Sequence, residues 1–259
     1  MPISAMSVQF VTRSLADVGI PLPKAAQEAA DVLQVLQDEA IRDVVTEVIT
    51  NATATPLTVK NASKRVQELA IALTARERAA EAARAYERPV LDQFRDAIAS
   101  NVDELIVEMR PIFDQCAAIF HNAGATLEPG RQVNASDGVE AVRTYLALDD
   151  AQQRFAAINS ARLRITEMAG SADSDVTWYV ESVPDMDALM SARSLWKRGP
   201  HYLTRAGYRL RLNTRAEAQA VADSAANGTA AALKAQQQAR VAAARDPLRE
   251  AAYAQVLGQ

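Results

Sequence analysis

The 259-residue sequence predicts a mainly α-helical protein: an elongated bundle, or coiled-coil-like helices, with a small α/β element (strand, helix, hairpin) near 175–213. Three observations lead there. Alanine, the strongest helix former, supplies 53 residues. Glycine and proline number only 9 and 10, too few for a β-sandwich that needs a breaker every ~8–12 residues. Apolar side chains recur at steps of three and four along most of the chain, and only the segment from 176 to 213 alternates as a strand does.

Ser4 is placed to cap a first helix whose Val8, Val11, Leu15 and Val18 share a face, with Gly19, Pro21 and Pro23 ending it. A second helix, Lys24 to Thr50, carries Ala26, Ala29, Leu33, Leu36, Ala40, Val44 and Val48 as its stripe. Asn51, the threonines beside it and Pro56 then favour a turn.

From Val59 to Phe120 the chain reads as almost continuous helix. Val66, Leu69 and Leu73 open a stripe, and residues 75–88, rich in opposite charges at helical spacing, form a solvated span. Pro89 and Pro111 each remove a backbone donor and crowd the preceding turn, so kinks or breaks are expected at both. Val102, Leu105, Met109, Ile112, Cys116 and Ile119 follow alternating steps of three and four. That is the pattern of a coiled-coil seam, and it makes these six residues the candidate helix-mediated interaction surface before Gly124 stops the helix.

Past a polar loop at 125–136, Asp137 with Glu140 and Asp149 with Gln152 match capping boxes, so two helices are expected. The second buries Phe155, Ile158, Ala161, Ile165 and Met168 and ends at Gly170. Val176, Trp178 and Val180 then alternate with Thr177, Tyr179 and Glu181 as in a half-buried strand, which Pro184 blocks. A helix over about 185–197 and a hairpin turning at Ala206 and Gly207 complete the α/β element. Thr214 with Glu217 caps the last helical region, which Asn227-Gly228 and Asp246-Pro247 should divide. The resulting organisation is an N-terminal helical region at 1–124 and a loop with a helical pair at 125–174. After these come the α/β element with its acidic then basic segments at 175–215 and an alanine-rich helical tail at 216–259.

A net charge of -4 argues against a protein that coats nucleic acid with its whole surface. A single cysteine excludes an intramolecular disulfide and any cysteine-based zinc cluster. The first residues lack the basic start and apolar block of a signal peptide, and no stretch approaches a membrane span, so the expected location is the cytoplasm or a particle assembled there. Arginine outnumbers lysine 23 to 5. With the alanine excess, this fits a high-GC bacterium or its phage.

The strongest local anomaly is Ser191 to Arg215, with seven Lys or Arg, no acid, and three aromatic residues. Trp196, Lys197, Arg198, Tyr202, Arg205, Tyr208, Arg209 and Arg211 are therefore the candidate contacts for an anion or a nucleic acid, rings for stacking and guanidiniums for phosphate. The competing reading is internal: Asp175 to Asp187 holds four acids and no base, an easy partner close in sequence.

Chemistry is otherwise sparse. His121 and Cys116, five residues apart, share a helix face poorly, and His201 lies in the basic segment. Asp173, Asp175, Asp185 and Asp187 lack a calcium-loop context, and no phosphate-loop, dinucleotide, zinc-protease or hydrolase-elbow motif occurs. No cofactor and no metal are expected. The sequence points to a non-enzymatic structural or assembly protein acting through helix-mediated contacts in an oligomer, with a phage or mobile-element particle component as the fitting type. A nucleic-acid-binding accessory protein using 191–215 is the alternative.

Overall fold

The computed structural model describes residues 3–41, 49–50, 58–128, 133–134, 137–171 and 173–257. Eight α-helices dominate them: α1 (Ala5–Asp17), α2 (Lys24–Ile41), α3 (Ala62–Ser100), α4 (Val102–Thr126), α5 (Val139–Met168), α6 (Met186–Trp196), α7 (Pro200–Arg205) and α8 (Arg215–Leu257). The expected turn at 51–57, the expected helical stretch at 42–48 and half of the loop at 125–136 lie outside the described residues. No helix among the described residues is long and apolar enough to cross a membrane.

The chain forms two compact units. The first is Met1–Val102 with Ser160–Ala172, and the second is Asp103–Asn159 with Asp173–Gln259. Helix α5 contributes to both.

In the first unit, Ser4 begins α1 as expected: its hydroxyl accepts from the Ser7 N–H at 3.3 Å while the Ser7 hydroxyl accepts from the Ser4 N–H at 3.4 Å. Val8, Val11, Leu15 and Val18 are buried, and Gly19 at φ 72° provides the left-handed exit. Helix α2 lies along α3, with Leu36 and Gln37 against Ala83, Arg84 and Glu87. Ala26, Ala29 and Leu33 of α2 are buried, as are Val90, Leu91, Phe94 and Ile98 of α3. Ile165 and the Arg162 side chain are buried as well.

The second unit is built on an aromatic cluster. Phe113 and Phe120 of α4 pack on Phe155 of α5, with ring centroids 6.0 and 5.9 Å apart. Tyr179 adds to Phe155 at 5.3 Å. Around it, Val176, Val180, Val183, Leu189, Leu203, Val221 and Ala225 form a second buried cluster.

Several sequence expectations are corrected here. The strand at 176–183 is a 3-10 turn over Val176–Trp178, set by Asp175, whose carboxylate accepts from the Val176 N–H at 2.6 Å. The first arm of the hairpin is α7 instead, because Gly199 at φ 130° and Pro200 at the first helical position start a helix. What remains of the β signal is one antiparallel bridge, Val180 to Leu210, flanked by Glu181 N–H to Arg209 O at 2.9 Å and Arg211 N–H to Tyr179 O at 3.0 Å. The described residues contain no strand.

Among the described residues, helix breaks are absent at several positions where the sequence suggests them. Pro89 and Pro111 sit inside α3 and α4 on exposed turns, where a missing donor is least costly. Asp149 lies within the single helix α5 and accepts from the Gln153 side chain at 3.2 Å, so it caps nothing. Gly124, Gly228 and Pro247 are likewise helical, in α4 and α8.

Candidate functional site

Two sequence features lead to the second unit: the seam on α4 and the basic, aromatic segment. Of the six seam residues, Val102, Leu105, Met109 and Cys116 are buried, whereas Ile112 and Ile119 are half-buried. The buried face runs through Val102, Ile106, Met109, Phe113, Cys116, Phe120 and Ala123, which keeps alternating steps of four and three but takes Phe113 and Phe120 in place of Ile112 and Ile119. The spacing found Val102, Leu105, Met109 and Cys116 and missed the face at Ile112 and Ile119. Phe113 and Phe120, each one residue beyond a chosen position, were the better signal. Burial raises the Cys116 thiol above its ordinary value despite the nearby Arg154, which makes it a packing group with little thiolate character.

In the basic segment, the aromatic faces are occupied. Trp196 stacks on Tyr179 with centroids 4.5 Å apart and a 15° interplanar angle, and meets Phe155 edge-on at 5.3 Å. The Tyr179 hydroxyl donates to Asn159 Oδ1. Tyr208 donates its hydroxyl to the Ala188 carbonyl at 2.9 Å. Tyr202 lies under the Arg198 guanidinium at 4.3 Å and against His201 at 4.3 Å. Burial, and then the charge of Arg198, lower the His201 imidazole below its ordinary range, which keeps it neutral.

The cations divide into held and open groups. Arg205 donates to the Leu127 carbonyl at 2.7 Å, satisfying a backbone group just beyond α4. Arg211 pairs with Glu217 at 2.5 Å, and Arg110, found only in the structure, donates to the same carboxylate and to the Leu212 carbonyl at 2.9 Å. Glu217 also closes the Thr214 capping box by accepting the Thr214 N–H at 2.8 Å. Burial alone would raise the Glu217 carboxyl, but the Thr214 bonds and then the two arginines hold it below its usual value. Arg193 forks onto Asp175, with Nε 3.0 Å from each carboxylate oxygen. Arg209 reaches only Glu181 at 3.9 Å and leaves 86% of its side chain exposed, and Lys197 and Arg198 are exposed as well.

Of these cations, Arg110, Arg209 and Arg211 border a cleft of about 730 Å³ that Asp114, His121 and Glu181 also line. Asp114 and Glu181, with Glu217 close by, offset its three arginines, so the cleft presents mixed charge instead of a phosphate-binding field. No group of three or more His, Cys, Asp or Glu among the described residues is arranged to hold a metal ion.

Exposed apolar side chains also occur on helices of the first unit, including Val66 of the stripe expected to be apolar. No residue from 62 to 82 in α3 is buried, yet Val66 and Ile71 project from it, Ile71 with 71% of its surface exposed. Val32 and Val35 of α2 are exposed as well. In α8, every residue from 231 to 240 is exposed. No protein-family model, no curated protein and no solved structure matches the chain.

Proposed function

We propose that this is a non-enzymatic structural or assembly protein that works through helix-mediated contacts with further copies of itself. The observation that carries this reading is the first half of α3: a stretch with no buried residue from 62 to 82, bearing Val66 and Ile71 on its exposed surface. Helix propensity alone sustains long helices poorly in water, and a helix becomes firm when an apolar face is covered. The interaction surface is therefore this stretch of α3 with the exposed valines of α2, because the α4 seam is largely covered within the chain. A phage or mobile-element particle component fits the alanine-rich and arginine-rich composition.

The test is to replace Val66 and Ile71 together by glutamate. Burying a side chain of this size contributes about 1.5–3 kcal/mol, so two charges there should dissociate the oligomer while circular dichroism keeps its helical signal. An oligomer of unchanged mass would reject this surface.

A second reading, binding of single-stranded nucleic acid, draws on the exposure of Lys197, Arg198, Arg205, Arg209 and Arg211. It requires binding that falls steeply with salt and is cut by Arg209→Gln with Arg211→Gln. Affinity unchanged by that pair would reject it.

A further inference from the structure

Wholly within the first unit, a pocket of about 500 Å³ opens between the first turns of α1 and the last turn of α5. That volume lies in the range of small-molecule sites, roughly 300–1,000 Å³. Its wall is apolar and adaptable. Met6 and Phe10, one helical turn apart on α1, leave 63% and 47% of their surface exposed, and Met168 faces them from α5. Methionine and phenylalanine placed this way are poor choices for a solvated face and good ones for an apolar ligand.

The polar groups on the wall are few. Ser4 and Ser7 are engaged with each other in the α1 cap, their hydroxyl oxygens 3.0 Å apart. That leaves Arg95, Arg164 and Glu167. Arg164 lies over the Phe10 ring at 5.4 Å and gives one nitrogen to Glu167 at 3.2 Å; its Nε and Nη2 make no hydrogen bond among the described contacts. Arg95 is held at the rim by Asp92 and Asp96, at 3.2 and 2.9 Å. Asp92 and Asp96 take the charge of Arg95, so the cation that faces the pocket is Arg164, engaged by Glu167 through one nitrogen only. A guanidinium fork beside an apolar wall matches a carboxylate at the end of an apolar body.

We infer that this pocket binds a small amphiphilic anion, a hydrocarbon body ending in a carboxylate, with Arg164 taking the head group and Met6, Phe10 and Met168 the body. The site is separate from the contact surface proposed above and is read on the protein as purified, in whatever oligomeric state it adopts.

The experiment is calorimetric titration of the full chain with decanoate below its micelle concentration, with decanol as the uncharged control. Saturable binding of one decanoate per chain is expected, with decanol weaker. Arg164→Gln should weaken decanoate about tenfold, the loss of one charge-assisted hydrogen bond, and leave decanol unchanged. Met6→Asp, at an exposed position, should abolish decanoate binding with the helical circular dichroism intact. Absence of saturable decanoate binding, or wild-type affinity in both variants, would overturn the inference. Sedimentation with anionic phosphatidylglycerol vesicles in the absence of decanoate binding would also overturn it, in favour of a membrane contact.

Discussion

Gly228 and Gly124 look like helix stops in the sequence and are instead points where backbone approaches backbone. A Cβ at Gly228 would lie 1.9 Å from the Pro184 carbonyl oxygen, and one at Gly124 would lie 2.6 Å from Thr204 Oγ1 and 2.8 Å from the His201 carbonyl oxygen. Propensity favours alanine over glycine in a helix by about 1 kcal/mol, whereas forcing atoms into a packed contact costs about 1–3 kcal/mol or more. The second effect wins at a backbone contact this short. Gly228→Ala should therefore destabilise the protein, seen as a lower urea midpoint, while Asn227→Ala on the exposed side of the same turn should not. A stabilised Gly228→Ala would mean that Pro184 does not pack there.

Asp175 supplies the pH dependence at this scale. Burial works to raise its carboxyl, but the Arg193 hydrogen bonds and charge more than offset that and hold it below the usual carboxylate range. In the unfolded chain it returns to about 3.9. The pair therefore stabilises the fold at pH above that value, and the contribution is lost as pH falls through the lower folded value. Urea midpoints should drop as the solution is acidified below about pH 4, and Asp175→Asn should flatten that part of the profile. An identical profile in the variant would remove Asp175 from the account.

At the scale of elements, what was legible followed from local chemistry. Ser4, Gly19, Gly170 and the Thr214–Glu217 box mark helix ends in the sequence and in the structure, because a cap or a left-handed turn is satisfied by neighbours in the chain. The misreadings share a cause in tertiary context. Val176 to Val180 alternates like a strand, but Asp175 caps a 3-10 turn there and the buried Asn213 side chain donates to the Thr177 and Val180 carbonyls, both at 2.8 Å. The charge complementarity of the acidic and basic segments was readable. It appears as Asp175 with Arg193 and Glu181 with Arg209, while Arg110, which shares Glu217 with Arg211, comes from a helix about a hundred residues away and had no local signal.

Helix α8 offers a test at the same scale. Thr229 still accepts from the Met186 N–H at 2.8 Å and Ala225 is buried, but residues 231–240 are exposed throughout. Replacing Leu233, 60% exposed, by serine should keep the unfolding free energy to within about 0.5 kcal/mol, the usual size of an exposed change. A larger loss would show that the tail is packed.

For the whole molecule, the apolar stock read from the sequence proves unevenly used. Buried aromatic and aliphatic side chains gather around Phe113, Phe155 and Tyr179 in one unit and around Leu15, Phe94 and Ile98 in the other, while Val35, Val66 and Ile71 stay at the surface. The proposed self-association rests on these exposed aliphatic residues. The most direct measurement is the molar mass of the purified full chain by light scattering at micromolar concentration and through a dilution series. A mass that is a multiple of 28.0 kDa and falls on dilution is the predicted result. A cooperative, stable monomer of 28.0 kDa across the whole series would contradict the assembly reading.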